Sequence, residues 1–267
     1  NKLINERSEA LRHEQHLRSE LTQLIVHDLK SPLTVLLSGM NLLGKESLGS
    51  LTETQKRLIT NLEKSGSNIL NMINDLLDVE RLEAGALRLQ TSLTDTAVLL
   101  QKQVEEIKIL ASTNKQTLTF SHDRNLPQIR VDKGLVTRVF ANLLSNALKF
   151  TPESGIVSVH LSRQGKQMIV EIADSGPGVP LNERERIFEK FAQVKGSERR
   201  GAGLGLTFCK MVTEAHEGSL TIGESSLGGA LFRLTLPIVE EVVLTEQVTS
   251  SESGYTDWQF DTPQPNA

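Results

Sequence analysis

The chain has a single cysteine, Cys209, and this scarcity excludes an internal disulfide and any metal site built from several thiolates. A signal peptide and an apolar run of the roughly eighteen residues that a membrane-spanning helix needs are both missing. Basic residues do not predominate either, because 29 Lys and Arg face 33 Asp and Glu. The net charge of −4 gives no support for nucleic acid as the main partner, and the composition is typical of a soluble cytoplasmic protein.

The start of the sequence has a helical character. The first residue is Asn1 rather than Met, and it lies within a pattern in which apolar residues recur every seven positions. These residues are Leu3, Ala10, Leu17 and Leu24. We expect residues 1–20 to form a coiled-coil-like signalling helix that leads from an upstream sensor domain missing from this chain. Whether the full-length protein is soluble or membrane-anchored stays open.

Two long apolar stripes at helical spacing follow this segment. The first continues to about Leu43, and the second runs from about Thr52 to Leu82. Residues 44–53, which contain two glycines, separate them, so residues 21–88 are predicted to form an antiparallel helical hairpin. A lone hairpin cannot cover both stripes, and the simplest solution is a two-fold homodimer that forms a four-helix bundle.

Helical and strand-like patterns alternate from residue 89 to residue 237. Helices are predicted at Thr94–Ala111, Asp132–Phe150 and Leu204–Ala215, and strands at Gln116–Phe120, Val157–Leu161, Met168–Asp174, Ser219–Ile222 and Ala230–Pro237. This mixture predicts an α/β sandwich with helices on one side of a sheet. The fold class is therefore α+β multidomain, with a helical hairpin followed by an α/β sandwich. Residues 238–267 carry six acidic residues and no Lys or Arg, which predicts a disordered acidic tail.

The first candidate site lies in "NLLSNALKFTP". Asn142, Asn146 and Lys149 follow one another at spacings of four and three, which aligns them on one helix face. An Asn oxygen can bind a hard cation such as Mg²⁺, and a Lys ammonium can bind a phosphate. The alternative is an ordinary amphipathic helix with a polar face.

The second candidate is "ADSGPGVP", which follows a predicted strand. Asp174 stands at the strand end, where its carboxylate can accept a hydrogen bond from an exocyclic amine. Gly176 and Gly178 allow the backbone to approach a ligand closely. A dinucleotide-binding turn is disfavoured by two prolines and by the lack of a following helix, and a GxxxxGK[ST] loop is absent. A simple tight turn remains the alternative.

The third candidate is "RRGAGLGLTFCK". Gly201, Gly203 and Gly205 lead directly into a helix, whose free N–H groups and positive dipole end can meet phosphate oxygens. The preceding stretch, residues 187–200, suits a lid hinged on glycines. Taken alone this loop is weak evidence, because many loops contain glycine.

The three candidates occur in order within about sixty residues, and together they resemble the ATP-binding domain of sensor histidine kinases, a fold shared with gyrase and Hsp90-type ATPases. The resemblance covers roughly residues 15–237. "LIVHDLKSPLT", residues 24–34, is similar to the H box of this family, in which ATP phosphorylates the histidine. It implies that His27 is the phospho-acceptor and Asp28 the base. Ser31 stands where the family commonly has the Thr or Asn that orients a water for dephosphorylating the regulator.

The resemblance also implies the roles of the nucleotide-site residues. ATP would be bound with Mg²⁺ on Asn146, with Lys149 near the phosphates, Asp174 at the adenine amine and Phe150 flanking the nucleotide. The remaining residues implied to bind the cofactor are Asn142, Gly176, Gly178, Phe188, Phe191, Gly201, Gly203, Leu204 and Gly205. The implied activity is ATP-dependent autophosphorylation by a bacterial protein-histidine kinase and relay to an aspartate on a response regulator receiver domain, with phosphatase activity as a further expectation.

An alternative keeps the ATPase fold but makes the protein a non-kinase conformational clamp or scaffold of the Hsp90-like group. The H-box hairpin is the feature that those relatives lack.

Two departures from the family pattern matter: Ser31 in the H box, and Ala230 where a threonine is often found. Pro32 cannot donate a backbone hydrogen bond to the carbonyl of Asp28, which predicts a helix bend beside His27.

Overall fold

The computed structural model describes residues 26, 29–45, 49–84, 87–192 and 203–238. His27, Asp28 and Gly201 lie outside these ranges, as do the predicted signalling helix and residues 239–267 of the predicted tail. The helix bend predicted beside His27 depends on two of these residues, so it stays a prediction. The tail prediction is wrong at its first residue, because Ile238 is buried in the core and its N–H donates to the carbonyl of Lys166 at 2.8 Å.

The N-terminal part of the described chain is a pair of helices, α1 (residues 29–44) and α2 (Glu53–Glu83). Thr52 caps α2 reciprocally with Gln55: its hydroxyl accepts from the Gln55 N–H at 3.3 Å, and its own N–H donates to Gln55 Oε1 at 2.8 Å. This capping box explains why the helix begins where the serine- and threonine-rich connection ends.

The two helices run antiparallel, as predicted. Lys30 of α1 donates to Asn74 Oδ1 of α2 at 3.3 Å. Further along α1, Leu37 packs so closely on Gly66 of α2 that a Cβ there would lie 2.7 Å from Leu37 Cδ2. Residue numbers rise along α1 while those of the contacted residues fall along α2, which is the signature of a hairpin.

The rest of the described chain is an α/β sandwich. Its seven strands are β1 (Thr91–Thr94), β2 (Thr117–His122), β3 (Ile129–Asp132), β4 (Ile156–Gln164), β5 (Gln167–Asp174), β6 (Ser219–Glu224) and β7 (Ala230–Pro237). Five of them form one sheet in the order β2-β4-β5-β7-β6, in which only the β2–β4 pair is parallel. The predicted sandwich is confirmed, while the separate antiparallel pair β1–β3 was not predicted.

Three helices cover the sheet: α3 (Thr96–Thr113), α4 (Lys133–Phe150) and α5 (Gly205–Ala215). Their apolar faces meet those of the strands in one core, whose largest fully buried side chains include Phe140, Leu144, Phe208, Ile172 and Leu234. Burial of this apolar surface is the main stabilising contribution to the unit. Across the described ranges, no helix is both long and apolar enough to cross a membrane.

A buried histidine fixes α4 relative to α5. Asp132 caps α4 by accepting from the Leu135 N–H at 3.1 Å, and the N–H of Asp132 donates to His216 Nε2 at 2.9 Å. His216 Nδ1 lies 2.7 Å from the carbonyl of Val212 and carries the proton of that hydrogen bond, since Nε2 is an acceptor. The start of α4 is thereby hydrogen-bonded to the C-terminal end of α5.

Candidate nucleotide site and phospho-acceptor region

The predicted site segments, far apart in sequence, fold into contact with one another. A Cβ at Gly205, at the start of α5, would lie 3.6 Å from Asn142 Cγ on α4. A Cβ at Gly176, in the turn after β5, would lie 2.8 Å from the carbonyl oxygen of Phe150 at the end of α4. Helix α4 therefore adjoins both the glycine-rich entry of α5 and the turn that follows Asp174.

Asp174 is a buried carboxylate with an organised backbone around it. Its side chain is held by two N–H donors, Gly176 at 2.8 Å and Ala230 at 3.1 Å, both of which bond to Oδ1. Burial raises the pKa of Asp174, and these two hydrogen bonds offset part of the effect. Gly229 lies so close that a Cβ there would overlap the carboxylate, so only glycine fits at that position.

The start of α5 has features that favour a bound anion. Its N-cap residue, the buried Leu204, has no side-chain acceptor, so no side chain caps the first N–H groups of this 11-residue helix. Unsatisfied N–H groups and the positive end of the helix dipole together favour a bound phosphate. The predicted role of the glycine-rich entry is consistent with this geometry.

The residues that flank segment 193–202 are joined at its base. The N–H of Phe191 donates to the carbonyl of Gly203 at 3.1 Å, and a Cβ at Gly203 would lie 2.7 Å from the Phe191 carbonyl carbon. Gly203 has φ of +69°, and Phe191 has φ of +61° with 62% of its surface exposed. An exposed aromatic residue held in a left-handed conformation is a strained feature, and it lies within the predicted lid, residues 187–200. The first lid residues, Ile187 and Phe188, are instead buried in the core.

The other predicted side chains differ in their environments. Phe188 belongs to the hydrophobic core, with the Lys210 ammonium 5.6 Å from its ring centroid. The Lys149 ammonium lies 5.0 Å from the ring centroid of Phe150, a cation–π distance. Gly178 has φ of +68°, a left-handed conformation that favours glycine.

Asn146, the predicted metal ligand, is half-buried one turn after Asn142 on α4. Within the part of the chain that the structure describes, no group of three or more His, Cys, Asp or Glu side chains could hold a metal ion. A cation here would therefore rely on an amide oxygen together with phosphate and water oxygens. Mg²⁺ fits this donor set, because it usually keeps several waters and takes few protein ligands.

The phospho-acceptor side of the site is described from residue 29 onward. Ser31 is exposed on α1, and the neighbouring Lys30 lines a cavity of about 570 Å³ between the hairpin and the sandwich. Asn142 lines the same cavity from α4. The region just after His27 in sequence thus faces the same space as Asn142, the first of the predicted site residues on α4.

Two further cations join the hairpin to the sandwich. Arg138 of α4 donates to Asp75 at 2.8 Å and also to Asp78, both on α2. Lys190 donates to Glu80 at 2.8 Å and to Glu83 at 2.6 Å, again on α2. Sequence reasoning missed these contacts, and no motif indicates them, since the partners are at least 60 residues apart.

Two family models match the two structural units in turn. Residues 17–85 match the His Kinase A (phospho-acceptor) domain. Residues 131–240 match the histidine kinase-, DNA gyrase B-, and HSP90-like ATPase domain. The chain belongs to the sensor histidine kinase family. The predicted family is thus confirmed, and the order of the two domains is that of the predicted phospho-acceptor hairpin and ATP-binding unit.

Individual histidine kinases are similar over most of this chain. The alginate biosynthesis sensor protein KinB of Pseudomonas aeruginosa is 31% identical over 84% of the chain and 38% of the relative. The adaptive-response sensory kinase SasA of Synechococcus sp. (strain JA-3-3Ab) is 33% identical over 85% of the chain and 61% of the relative. The crystal structure of full-length ShkA in complex with AMPPNP superposes with a TM-score of 0.70 at 32% identity, covering 82% of this chain and 45% of that one. The chain therefore spans between about a third and two thirds of these proteins.

Proposed function

We propose that this chain is the catalytic core of a sensor histidine kinase in a two-component system. It autophosphorylates His27 from ATP and then passes the phosphoryl group to an aspartate on a response regulator. The observation that supports this most directly is the shared cavity of about 570 Å³, because Lys30 of the H box and Asn142 of the nucleotide-binding helix both line it. A phosphoryl donor held by α4 would face the acceptor helix across that space.

The nucleotide would be held by groups that the chain already organises. Asp174 is fixed by two backbone donors and can accept from the adenine amine. The uncapped start of α5 can bind phosphate oxygens, with Lys149 adding a positive charge. Asn146 would hold Mg²⁺, whose charge neutralises the phosphates. The AMPPNP complex of ShkA supports a nucleotide in the corresponding domain of this chain.

In the transfer step a ring nitrogen of His27 forms a bond to the γ-phosphorus while the bond from that phosphorus to the bridging oxygen of ADP breaks. Asp28 accepts the proton that the imidazole loses. Positioning and charge neutralisation supply most of the rate enhancement in such reactions. The exposed Ser31 is available to orient water when the regulator is dephosphorylated, which is the proposed phosphatase role.

The hairpin would function as a homodimer. Large apolar side chains on it are exposed in the single chain, among them Val35, Leu36, Leu58, Leu62 and Ile69. Such a surface on a soluble domain marks an interface. A second copy would cover it by forming a four-helix bundle. The clamp or scaffold alternative does not account for the phospho-acceptor domain, because it requires only the ATPase unit.

The experiment is incubation of the purified chain with γ-labelled ATP and Mg²⁺, followed by acid and base treatment. Wild type should acquire a label that is acid-labile and base-stable, and His27→Gln should acquire none. His122→Gln, which changes an exposed histidine at the end of β2, is the matched control and should label normally. Undiminished label on His27→Gln would reject the acceptor assignment, and an unlabelled wild type would reject the proposed activity.

A further inference from the structure

The sandwich is docked on the C-terminal half of α2 through an apolar contact. Val79 of α2 is fully buried, at 0% exposure, and belongs to the same hydrophobic core as α4, α5 and the sheet. Leu82, one turn later, packs against that core. Helix α2 therefore packs against the core of the ATP-binding unit, in addition to connecting that unit to the hairpin.

One side of this apolar contact is closed by Arg138. Its guanidinium bridges Asp75 and Asp78, which are one turn apart on α2, and lies 4.3 Å from the ring centroid of Phe208 on α5. A planar guanidinium can bond two carboxylates and stack on a ring at once, which a lysine ammonium cannot do. Arg138 is thus held between α2 and α5.

The other side is closed by Lys190. Its ammonium donates to Glu80 and Glu83, and the Lys190 and Glu80 side chains are 19% and 9% exposed. Burial by itself would lower the pKa of Lys190, but the hydrogen bonds to the two carboxylates outweigh it, so the pKa is raised. The amine therefore stays charged, and a partly buried, hydrogen-bonded pair is screened by salt much less than a surface pair.

Both cations are close in sequence to residues of the proposed nucleotide site. Arg138 is one helical turn before Asn142 on α4, and Lys190 lies between Phe188 and Phe191, immediately before segment 193–202. A movement of α2 would therefore be transmitted to the nucleotide-binding helix and to the start of the predicted lid. The described contacts hold α4 and the segment around Lys190 in one orientation toward the hairpin of the same chain.

We propose that Arg138 and Lys190 are positioning residues that dock the ATP-binding unit on α2, so that the site faces the H box during phosphoryl transfer. The proposal rests on the proposed kinase function and adds the contacts that set its geometry. Neither cation needs to touch ATP in this role. Their loss should slow the transfer step and leave nucleotide affinity unchanged, because misorientation of reacting groups lowers rate without removing binding contacts.

The test uses charge reversal at the more accessible pair. We expect Lys190→Glu and Glu83→Lys to lower the autophosphorylation rate at saturating ATP, each on the order of tenfold. The double variant should recover part of the rate, because the pair with residue 83 is restored with its charges exchanged while Glu80 still opposes the new carboxylate. The Kd for a fluorescent ATP analogue should stay within about twofold of wild type in all three variants, since the docking contact does not bind the nucleotide.

The control is the same exchange at Lys115 and Glu153, a 3.3 Å surface pair that lies wholly within the sandwich and should leave the rate unchanged. Wild-type rates in the single variants, or no recovery in the double variant, would overturn the proposal. A higher rate in the single variants would also overturn it, because the contact would then restrain the kinase. Failure of wild type to label His27 would instead reject the proposed function, so the two failures are distinguishable.

Discussion

The buried carboxylate of Asp174 accepts a hydrogen bond from the N–H of Ala230, a residue that follows it by 56 positions. The bond uses the backbone of Ala230, so the alanine that replaces the family's frequent threonine does not weaken it. The same oxygen, Oδ1, accepts from Gly176, whereas Oδ2 takes no hydrogen bond from the described part of the chain. One oxygen therefore fixes the side chain and the other is available to a ligand.

Asp174→Asn should weaken ATP binding while preserving the fold. The amide oxygen can still accept from Gly176 and Ala230, but the amide nitrogen would present a donor where the proposed contact with the adenine amine needs an acceptor. Loss of a hydrogen bond to a charged group is worth about 1.5–3 kcal/mol, so the Kd for ATP should rise by about 10- to 100-fold. Calorimetric titration measures it.

Asp123→Asn is the matched control, since it makes the same change just after β2, at the end of the sheet away from Asp174. Its Kd should equal that of wild type. If Asp174→Asn binds ATP as tightly as wild type, the adenine amine is recognised by another group.

Asp174→Asn should also change the pH dependence of the free energy of unfolding. Burial raises the pKa of Asp174, so the folded chain binds more protons than the unfolded chain at pH values just above the ordinary Asp pKa of about 4. The free energy of unfolding contributed by this group must then fall as pH rises through that window. Urea unfolding of the ligand-free chain from pH 4 to 7 should show wild type losing stability relative to Asp174→Asn. If the stability of wild type relative to Asp174→Asn stayed constant or increased from pH 4 to pH 7, the pKa of Asp174 would not be raised.

Gly229→Ala should destabilise the chain and weaken nucleotide binding together. The new methyl group would overlap the Asp174 carboxylate and the Gly176 nitrogen, and neither can move without breaking the turn. Overpacking of this kind typically costs about 1–3 kcal/mol. Gly223→Ala on β6, where a Cβ meets no atom within 4 Å, is the control for the loss of a glycine. Thermal unfolding and ATP titration of the two variants measure the difference, and equal behaviour would show that the turn adapts.

Much of the fold could be predicted because its periodicities are strong and local. Helix α4 begins one residue after the predicted start, since Asp132 acts as its N-cap, and α5 likewise begins one residue after the buried Leu204. The β1–β3 pair escaped prediction because each strand has only four residues, too few for alternation to be recognised. The parallel β2–β4 pairing depends on the long connection through α4, which no local pattern encodes.

The proximity of the candidate site segments could be predicted in part for the same reason. Asn142, Asp174 and Gly205 lie in motifs whose spacing reflects a helix face or a turn, and the structure brings those segments together. Arg138 and Lys190 could not be found this way, because a lone cation on a helix or loop is ordinarily solvated. Arg138 and Lys190 reach their acidic partners on α2 only because the sandwich packs against the hairpin, and the sequence patterns of the two units do not encode that packing.

The exposed apolar face of α2 predicts how the hairpin associates. Leu58 and Leu62 are 58% and 47% exposed and lie one turn apart, so a second copy can cover both. Leu62→Glu should convert the proposed dimer to a monomer, because burying a leucine contributes about 1.5–3 kcal/mol and each substitution occurs twice in a two-fold interface. Glutamate is a good helix former, so α2 itself should persist. Analytical ultracentrifugation should show half the mass at micromolar concentration.

The control is Thr60→Glu, at an exposed position on the opposite side of the helix, and this variant should remain dimeric. A Leu62→Glu protein that stays dimeric would place the interface on another face of the hairpin.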